Sequence, residues 1–201
     1  MTASEVARLL LDCGAVELRS DPEQWFTWAS GKRAPIYCDN RVLMAFPQAR
    51  AAVADALVDS IRNHVPDAEV IAGTATAGIP HAAWVAERMG LPMVYVRGQA
   101  KGHGKKRRVE GRELIGERVV LIEDLISTAG SSCDALEALQ EEGGKLAGLQ
   151  AIVSYGFDVA AERLDALGVA HRVLTTYADL IAALDVDGAT RELLLDWRRD
   201  F

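Results

Sequence analysis

VVLIEDLISTAGSS, residues 119–132, is the stretch from which the fold of this 201-residue chain follows. Its first four residues form a continuous apolar run, which is typical of a strand with both faces covered. Glu123 and Asp124 come next, followed by six small or hydroxyl residues (127–132) and a stretch with helical periodicity. This order predicts a buried strand, a turn and a helix. In a parallel sheet, such a turn lies at the edge where ligands bind.

The segments on either side repeat the alternation of strands and helices. Strands are predicted over 70–72, 92–96, 119–122, 151–156 and 172–177, and helices over 47–65, 79–90, 133–144 and 158–168. Such alternation predicts an α/β fold in which helices cover both faces of a parallel sheet. The turns that follow three of the strands should therefore converge at one edge, and they lie at 73–78, 97–104 and 123–132.

The N-terminal 45 residues do not join this alternation. Apolar residues within 6–13 recur at helical spacing, which predicts a first helix. The sequence WFTWASGKRAPIYCDNR (25–41) mixes aromatic, glycine, proline and polar residues, and we interpret it as a hairpin-like cap over the site. We expect one domain over 1–201, in which a helix and hood (1–45) cover an α/β core (46–201).

The charge of the chain bears on its class of partner. A net charge of −7 argues against nucleic acid as the main partner, because binding a phosphate backbone needs a dominant basic face. Seven of the 22 Lys and Arg residues nevertheless fall between Arg97 and Arg112. This basic segment on an acidic protein favours a small, highly charged anion as ligand. The alternative is a solvated basic loop.

Cellular location is indicated by what the sequence lacks. No apolar run approaches the ~20 residues of a membrane span, and the N-terminus has no signal-peptide features. Cys13, Cys38 and Cys133 lie far apart without a CxxC pair, so neither a zinc site nor a disulfide framework is indicated. We therefore expect a cytoplasmic protein without a membrane partner.

Residues 123–132 have the composition of a sugar-phosphate site. Small side chains let main-chain amides approach a phosphate, hydroxyl groups add donors, and a helix N-terminus supplies partial positive charge. Glu123 and Asp124 would repel a phosphate, so the hydroxyl donors of a ribose diol are their natural partner. The order of residues therefore predicts a cradle for ribose 5-phosphate. The alternative is an ordinary strand-to-helix turn with a capping serine.

Four segments resemble one known family, and they do so in order along the chain. Residues 119–132 resemble the phosphoribosyl pyrophosphate signature of type I phosphoribosyltransferases. YVRGQAKGHGKKRRVEG (95–111) resembles the catalytic loop of the orotate phosphoribosyltransferases, IAGTATAGIPHAAW (71–84) their pyrophosphate loop, and FTWASGKRAPIYCDNR (26–41) their base-binding hood. One motif alone carries a false-positive risk, whereas ordered agreement over most of the chain argues against chance.

The resemblance implies a Rossmann-like type I core with a small N-terminal hood. It also implies transfer of the phosphoribosyl group to orotate, giving orotidine 5′-monophosphate and pyrophosphate in de novo pyrimidine (UMP) biosynthesis. The implied catalytic residues are Lys101, His103 and Asp124. The residues implied at phosphoribosyl pyrophosphate are Thr74, Ala75, Thr76, Arg97, Lys101, His103, Glu123, Asp124, Leu125, Ile126, Ser127, Thr128, Ala129, Gly130 and Ser131.

The resemblance also implies where the base binds. Ser127, Arg41 and Tyr37 are the candidates at orotate. Orotate carries a carboxylate, for which Arg41 is the first candidate, while Lys32 and Arg33 are weaker ones. Where some relatives place an arginine on the base, this chain has the sequence SYGF.

The basic segment suits the implied chemistry. Breaking the bond between ribose C1′ and pyrophosphate builds negative charge on the leaving group, which nearby cations stabilise. Arg97 and Lys101 suit that role, and His103 could donate a hydrogen bond or a proton. Mg²⁺ is the expected cofactor, held mainly by substrate oxygens without a direct protein ligand. In the family this loop reaches into the neighbouring subunit, which implies a homodimer with shared sites.

Two other functions stay open. A phosphoribosyltransferase for another base, such as a purine, would share residues 119–132 but should lack both the 97–103 loop and the IYCDNR hood. A non-catalytic regulator that senses phosphoribosyl pyrophosphate and binds RNA or DNA would use a basic surface at 105–108. The acidic total charge argues against the regulator. A P-loop nucleotidase is excluded, because the sequence contains no GxxxxGK[ST].

Overall fold

The structure is a computed structural model, and it describes residues 1–19, 21–28, 31–98 and 107–199. Its strands are β1 Val16–Leu18, β2 Phe26–Thr27, β3 Arg33–Ala34, β4 Ile36–Cys38, β5 Val70–Thr74, β6 Met93–Val96, β7 Val109–Glu110, β8 Arg118–Ile126, β9 Lys145–Ser154 and β10 His171–Thr176. Its α-helices are α1 Ala3–Asp12, α2 Pro47–His64, α3 Gly78–Met89, α4 Gly130–Glu141, α5 Asp158–Ala166, α6 Tyr177–Ala183 and α7 Gly188–Arg199. Short 3₁₀ segments lie at Pro22–Gln24 and Asn40–Ala45.

A six-stranded sheet with the order β10-β9-β8-β5-β6-β7 forms the centre of the fold. The first five strands in this order are parallel, and β7 runs antiparallel to β6 at the edge. The predicted α/β fold with a parallel sheet is confirmed. The segment 95–111, which resembles a catalytic loop, is not loop throughout, because it includes β7, where Val109 is buried in the core and pairs with Val96.

Helices cover both faces of the sheet, and the residues of β8 alternate between the two resulting cores. Val120 and Ile122 pack with buried residues of α1, α2 and α3 on one face. Val119 and Leu121 pack with buried residues of α4 and α5 on the other face. Fully burying one such side chain contributes about 1.5–3 kcal/mol. Coverage of both faces explains why this strand is apolar at successive positions.

Close packing of α3 on the sheet positions the turn between β5 and α3. A Cβ atom at Gly78 would lie 2.6 Å from the carbonyl oxygen of Ile122, so only glycine fits there without a shift of the backbone. A Cβ atom at Gly73 would lie 2.9 Å from that of Ala82. The start of α3 therefore lies directly against β8, one residue before Glu123.

The N-terminal strands form two small antiparallel pairs, β1 with β4 and β2 with β3. The C-terminal helices α6 and α7, which the sequence interpretation did not include, pack against each other, and α6 also packs on α1 and β10. The indole Nε1–H of Trp197 donates to the carbonyl oxygen of Arg33 at 3.0 Å, and Arg198 donates to that of Gly156 at 2.6 Å. Helix α7 thus joins β3 to the loop that follows β9.

Within the part of the chain that the structure describes, no helix combines the length and apolar character needed to cross a membrane.

Candidate active site

A cavity of about 600 Å³ lies where β5 and β8 end beneath the N-terminal strands. The turns after these two strands meet there, as the parallel arrangement predicts. The described residues that line the cavity are Thr27, Trp28, Tyr37, Cys38, Asp39, Arg41, Thr74, Ala75, Thr76, Ala77, Glu123, Asp124, Leu125, Ser127, Ser131 and Tyr155. The N-terminal hood therefore lines one side of the cavity, and the turns that follow β5 and β8 in the core line another part of the described wall.

Glu123 and Asp124 form the acidic wall of the cavity, still within strand β8. Glu123 is 4% exposed, and its Oε2 accepts a hydrogen bond from the Ser132 hydroxyl at 3.0 Å. Burial, followed by the charge of Asp124, raises the pKa of Glu123 to about 8. Burial also raises the pKa of Asp124. A ligand that donates hydroxyl hydrogen bonds would favour ionisation of this pair.

The turn between β8 and α4 contributes two serine side chains, Ser127 and Ser131, to the cavity wall. Ala129 adopts a left-handed conformation (φ 58°) just before α4 begins, and the carbonyl oxygen of Thr128 accepts from Arg163 at 2.8 Å. The turn therefore places the N-terminus of α4 beside the serines, where its amides favour an anion. Ile126 is instead buried in the core.

The turn after β5 supplies a further part of the wall through Thr74, Ala75, Thr76 and Ala77. The main-chain N–H of Ala75 donates to Val96 at 2.9 Å, which ties the turn to β6. The Thr74 hydroxyl oxygen is buried and has no hydrogen-bond partner among the described residues. An unsatisfied buried hydroxyl costs about 1–3 kcal/mol, so a ligand that bonds to it recovers that cost.

Tyr37 and Arg41 reach the cavity from the hood. The Tyr37 side chain is exposed, and its ring centroid lies 5.6 Å from that of Phe26. Arg41 donates from Nε and Nη2 to the two carboxylate oxygens of Asp39 at 2.6 and 2.9 Å. This bidentate pair lowers the pKa of Asp39 and holds Arg41 in place, while its third nitrogen, Nη1, takes no part in the pair. Arg33, a weaker candidate, donates to carbonyl oxygens within the hood.

The described arginines of the basic segment are all paired with carboxylates. The pairs are Arg97–Glu110, Arg107–Glu113, Arg107–Glu142, Arg108–Asp134 and Arg112–Glu117. Arg97 is not part of the described cavity wall, and its Nη1 lies 3.4 Å from Glu110. Lys101 and His103 lie outside the described residues. The described part of the segment therefore forms a charge-compensated surface instead of a free cationic patch.

The oxygen-rich wall of the cavity suits a hard divalent cation brought in with substrate. Arg41 is the basic side chain among the described lining residues, and Asp39 already accompanies it. A diphosphate would enter beside Glu123 and Asp124, so extra positive charge is needed to neutralise it. Within the described ranges, no three His, Cys, Asp or Glu side chains gather as metal ligands. The carboxylate and hydroxyl oxygens of the wall are the ligand type that Mg²⁺ prefers, so the lining residues fit this cation.

Comparison with known proteins places the chain in a family. The phosphoribosyl transferase domain profile matches residues 43–181. The chain is 48% identical to the orotate phosphoribosyltransferase of Fusobacterium nucleatum over 204 aligned residues, covering 100% of this chain and 97% of the relative. The chain belongs to the orotate phosphoribosyltransferase family. The resemblance of the sequence to orotate phosphoribosyltransferases is thereby confirmed as family membership.

Solved structures of the orotate phosphoribosyltransferase family share the fold. The Aeropyrum pernix enzyme superposes with a TM-score of 0.75 at 30% identity, covering 96% of this chain and 98% of that chain. The Mycobacterium tuberculosis H37Rv enzyme, in complex with phosphoribosyl pyrophosphate, superposes with a TM-score of 0.69 at 26% identity, covering 89% and 98%. The predicted type I phosphoribosyltransferase core is therefore confirmed.

Several cavity residues of this family member were not among the sequence predictions. Trp28 packs on the core, and it also lines the cavity and stacks on Tyr155 with ring centroids 5.2 Å apart. Asp39 and Cys38 line the hood side. Tyr155 follows the end of β9, so the rule that ligands bind at strand ends could have identified it.

Proposed function

We propose that the chain transfers the 5-phosphoribosyl group of phosphoribosyl pyrophosphate to orotate, releasing pyrophosphate and orotidine 5′-monophosphate in de novo pyrimidine biosynthesis. The observation that carries the proposal is the cavity itself, in which two strand-end turns meet under an aromatic and basic hood. The family to which the chain belongs supports the choice of base. A cytoplasmic location fits this role, as does the division into a hood (1–45) and a core (46–201).

The core binds the sugar phosphate in this proposal. Glu123 and Asp124 accept hydrogen bonds from the ribose hydroxyls, and both must be ionised to do so with full strength. Ser127 and Ser131, with main-chain amides of the turn from Leu125 to Gly130, surround the 5′-phosphate. Thr74 and its turn, through Thr76, bind the pyrophosphate.

The hood binds the base. Tyr37 packs against the ring of orotate, and Ser127 reaches it from the core. Arg41 meets the carboxylate through Nη1, because Asp39 occupies Nε and Nη2. Bidentate pairing fixes the orientation of the guanidinium before substrate arrives, which lowers the entropy lost on binding.

The leaving group is stabilised by the basic segment. Lys101 and Arg97 bind pyrophosphate most strongly as charge develops on it, and His103 donates a hydrogen bond or proton to it. For Arg97 this requires leaving its contact with Glu110, which is long at 3.4 Å. Bound Mg²⁺ supplies further charge neutralisation of the pyrophosphate. In a homodimer, this loop is proposed to act in the neighbouring subunit.

A panel of bases tests the proposal. Orotate, uracil, hypoxanthine, guanine and adenine are each incubated with phosphoribosyl pyrophosphate and Mg²⁺, and pyrophosphate release is measured. Orotate alone should give turnover, and chelation of Mg²⁺ should stop it. Turnover of a purine without orotate would favour the phosphoribosyltransferase of another base. Nucleic-acid regulation is disfavoured, because the described arginines near 105–108 are paired with acids.

A further inference from the structure

Asn40 is a buried polar residue to which the proposed mechanism gives no role. It begins the 3₁₀ segment Asn40–Ala45 that connects hood strand β4 to helix α2. Its exposed fraction is 0%. A buried amide that lacked hydrogen bonds would be destabilising, so its partners show what the residue does.

Two separate elements of the fold meet at the side chain of Asn40. Its Nδ2 donates to the main-chain carbonyl oxygen of Asp124 at 2.8 Å, across 84 positions of sequence. Its Oδ1 accepts from the Cys38 thiol at 3.5 Å. The amide therefore joins strand β4 of the hood to the end of β8.

Each of these elements carries a different wall of the cavity. Cys38 and Arg41 stand on either side of Asn40 on the hood side of the cavity. Asp124 carries the carboxylate that is proposed to bind the ribose hydroxyls. Asn40 itself is absent from the described cavity wall. A single buried side chain thus connects the hood wall and the acidic wall, although it does not itself line the described cavity.

Two buried titratable groups in this part of the fold are neutral near pH 7. Burial lowers the pKa of the His81 ring to about 4, so this ring is uncharged. Burial also raises the pKa of the Cys38 thiol to about 12, so Cys38 remains a hydrogen-bond donor.

We propose that Asn40 is a positioning residue that holds the base-binding hood and Asp124 in register. The proposal rests on the proposed function for its assignment of the base and ribose sides. Loss of the amide should leave every substrate contact in place but allow the hood and the end of β8 to move independently. Both substrates should then bind more weakly, although neither touches Asn40.

Asn40→Leu is the test, because leucine has a similar size and shape but no hydrogen-bonding group. Gln150→Leu is the matched control. Gln150 is 2% exposed, accepts from the Ser60 hydroxyl at 2.8 Å and does not line the cavity. Calorimetry with phosphoribosyl pyrophosphate and Mg²⁺, without a base, gives one dissociation constant. Steady-state kinetics give kcat and the KM for orotate, and thermal unfolding gives the stability of each variant.

Asn40→Leu should weaken phosphoribosyl pyrophosphate binding and raise the KM for orotate, each by about tenfold, the effect of one net hydrogen bond. Gln150→Leu should leave both within about twofold at a similar loss of stability. Unchanged constants in Asn40→Leu, or equal changes in the control, would overturn the proposal and leave Asn40 a residue of the fold alone. If Asn40→Leu does not fold, Asn40→Ser, which is too short to reach the Asp124 carbonyl, carries the same expectation.

The two proposals fail in different ways. If the wild-type chain does not use orotate, the proposed function is lost. The calorimetric comparison still decides whether Asn40 positions Asp124, since it needs no base. If orotate is used and Asn40→Leu binds phosphoribosyl pyrophosphate as the wild type does, the positioning role alone is lost.

Discussion

Binding of phosphoribosyl pyrophosphate should release a proton from Glu123. The pKa of this carboxyl group is raised to about 8 by burial and by Asp124, so only about a tenth of it is ionised at pH 7. Ionising it at that pH costs about 1.4 kcal/mol, since one pKa unit corresponds to 1.36 kcal/mol. Two ribose hydroxyl donors favour the charged form and supply that free energy. The bound complex should therefore carry roughly one proton fewer than the free protein and ligand.

Calorimetry in buffers of different ionisation enthalpy measures this proton directly. At pH 7 the wild type should release about one proton more than Glu123→Gln, a variant of the same shape that cannot titrate. Protons lost by the ligand itself cancel in the comparison. Equal proton release by both proteins would show that Glu123 does not ionise on binding, and it would remove the ribose-binding role given to its charge.

The same pKa sets the sign of a stability effect in the free protein. The folded chain keeps the Glu123 proton up to about pH 8, whereas an unfolded chain loses it near the ordinary value of 4.5. Between these values the folded state binds more protons, so this group makes the free energy of unfolding fall as pH rises. Glu123→Gln should lack that decline, which denaturant titrations across the pH range would reveal.

Three further outcomes are expected. Asp124→Asn should weaken phosphoribosyl pyrophosphate binding roughly ten- to hundredfold in calorimetry, because charge-assisted hydrogen bonds contribute about 1.5–3 kcal/mol. Thermal unfolding should be unchanged. An unchanged affinity would show that the carboxylate has a structural role only. Lys101→Ala should lower kcat far more than it raises KM. Mixing Lys101→Ala subunits with Asp124→Asn subunits should restore about a quarter of wild-type activity if the loop crosses a dimer interface. Recovered activity no greater than the sum of the two variants would place the loop in its own subunit. Gly78→Ala should lower the free energy of unfolding by roughly 1–3 kcal/mol, because its Cβ atom would lie 2.6 Å from the Ile122 carbonyl oxygen. Gly188→Ala, where no atom lies within 4 Å, is the control and should change it little.

The sheet could be predicted because its signal is local. The apolar run at 119–122 and the alternation of strands with helices fix the class of fold without any long-range information. Strand β8 nevertheless continues through Glu123 to Ile126, and β9 begins at Lys145, well before its apolar part. In both cases neighbouring strands complete hydrogen bonds that the side-chain pattern does not reveal.

The parts of the site that the sequence did not reveal depend on distant partners. The burial of the polar Asn40 side chain is explained by its hydrogen bond to the carbonyl oxygen of Asp124, which lies 84 residues away in sequence. From its sequence the basic segment is predicted to be a cationic patch. In the fold, however, Arg107 and Arg108 form ion pairs with Glu142 and Asp134, which are distant in sequence. Polar and charged residues carry no periodic signal, so their environment follows from the tertiary fold and not from spacing along the chain.

The reaction itself is tested most directly by one ³¹P NMR time course with phosphoribosyl pyrophosphate, Mg²⁺ and orotate. We expect the diphosphate signal of the substrate to be replaced by free pyrophosphate and the phosphate signal of orotidine 5′-monophosphate in equal amounts, with no change when orotate is omitted. Loss of phosphoribosyl pyrophosphate without orotidine 5′-monophosphate, or no reaction until a purine is supplied, would contradict the assignment.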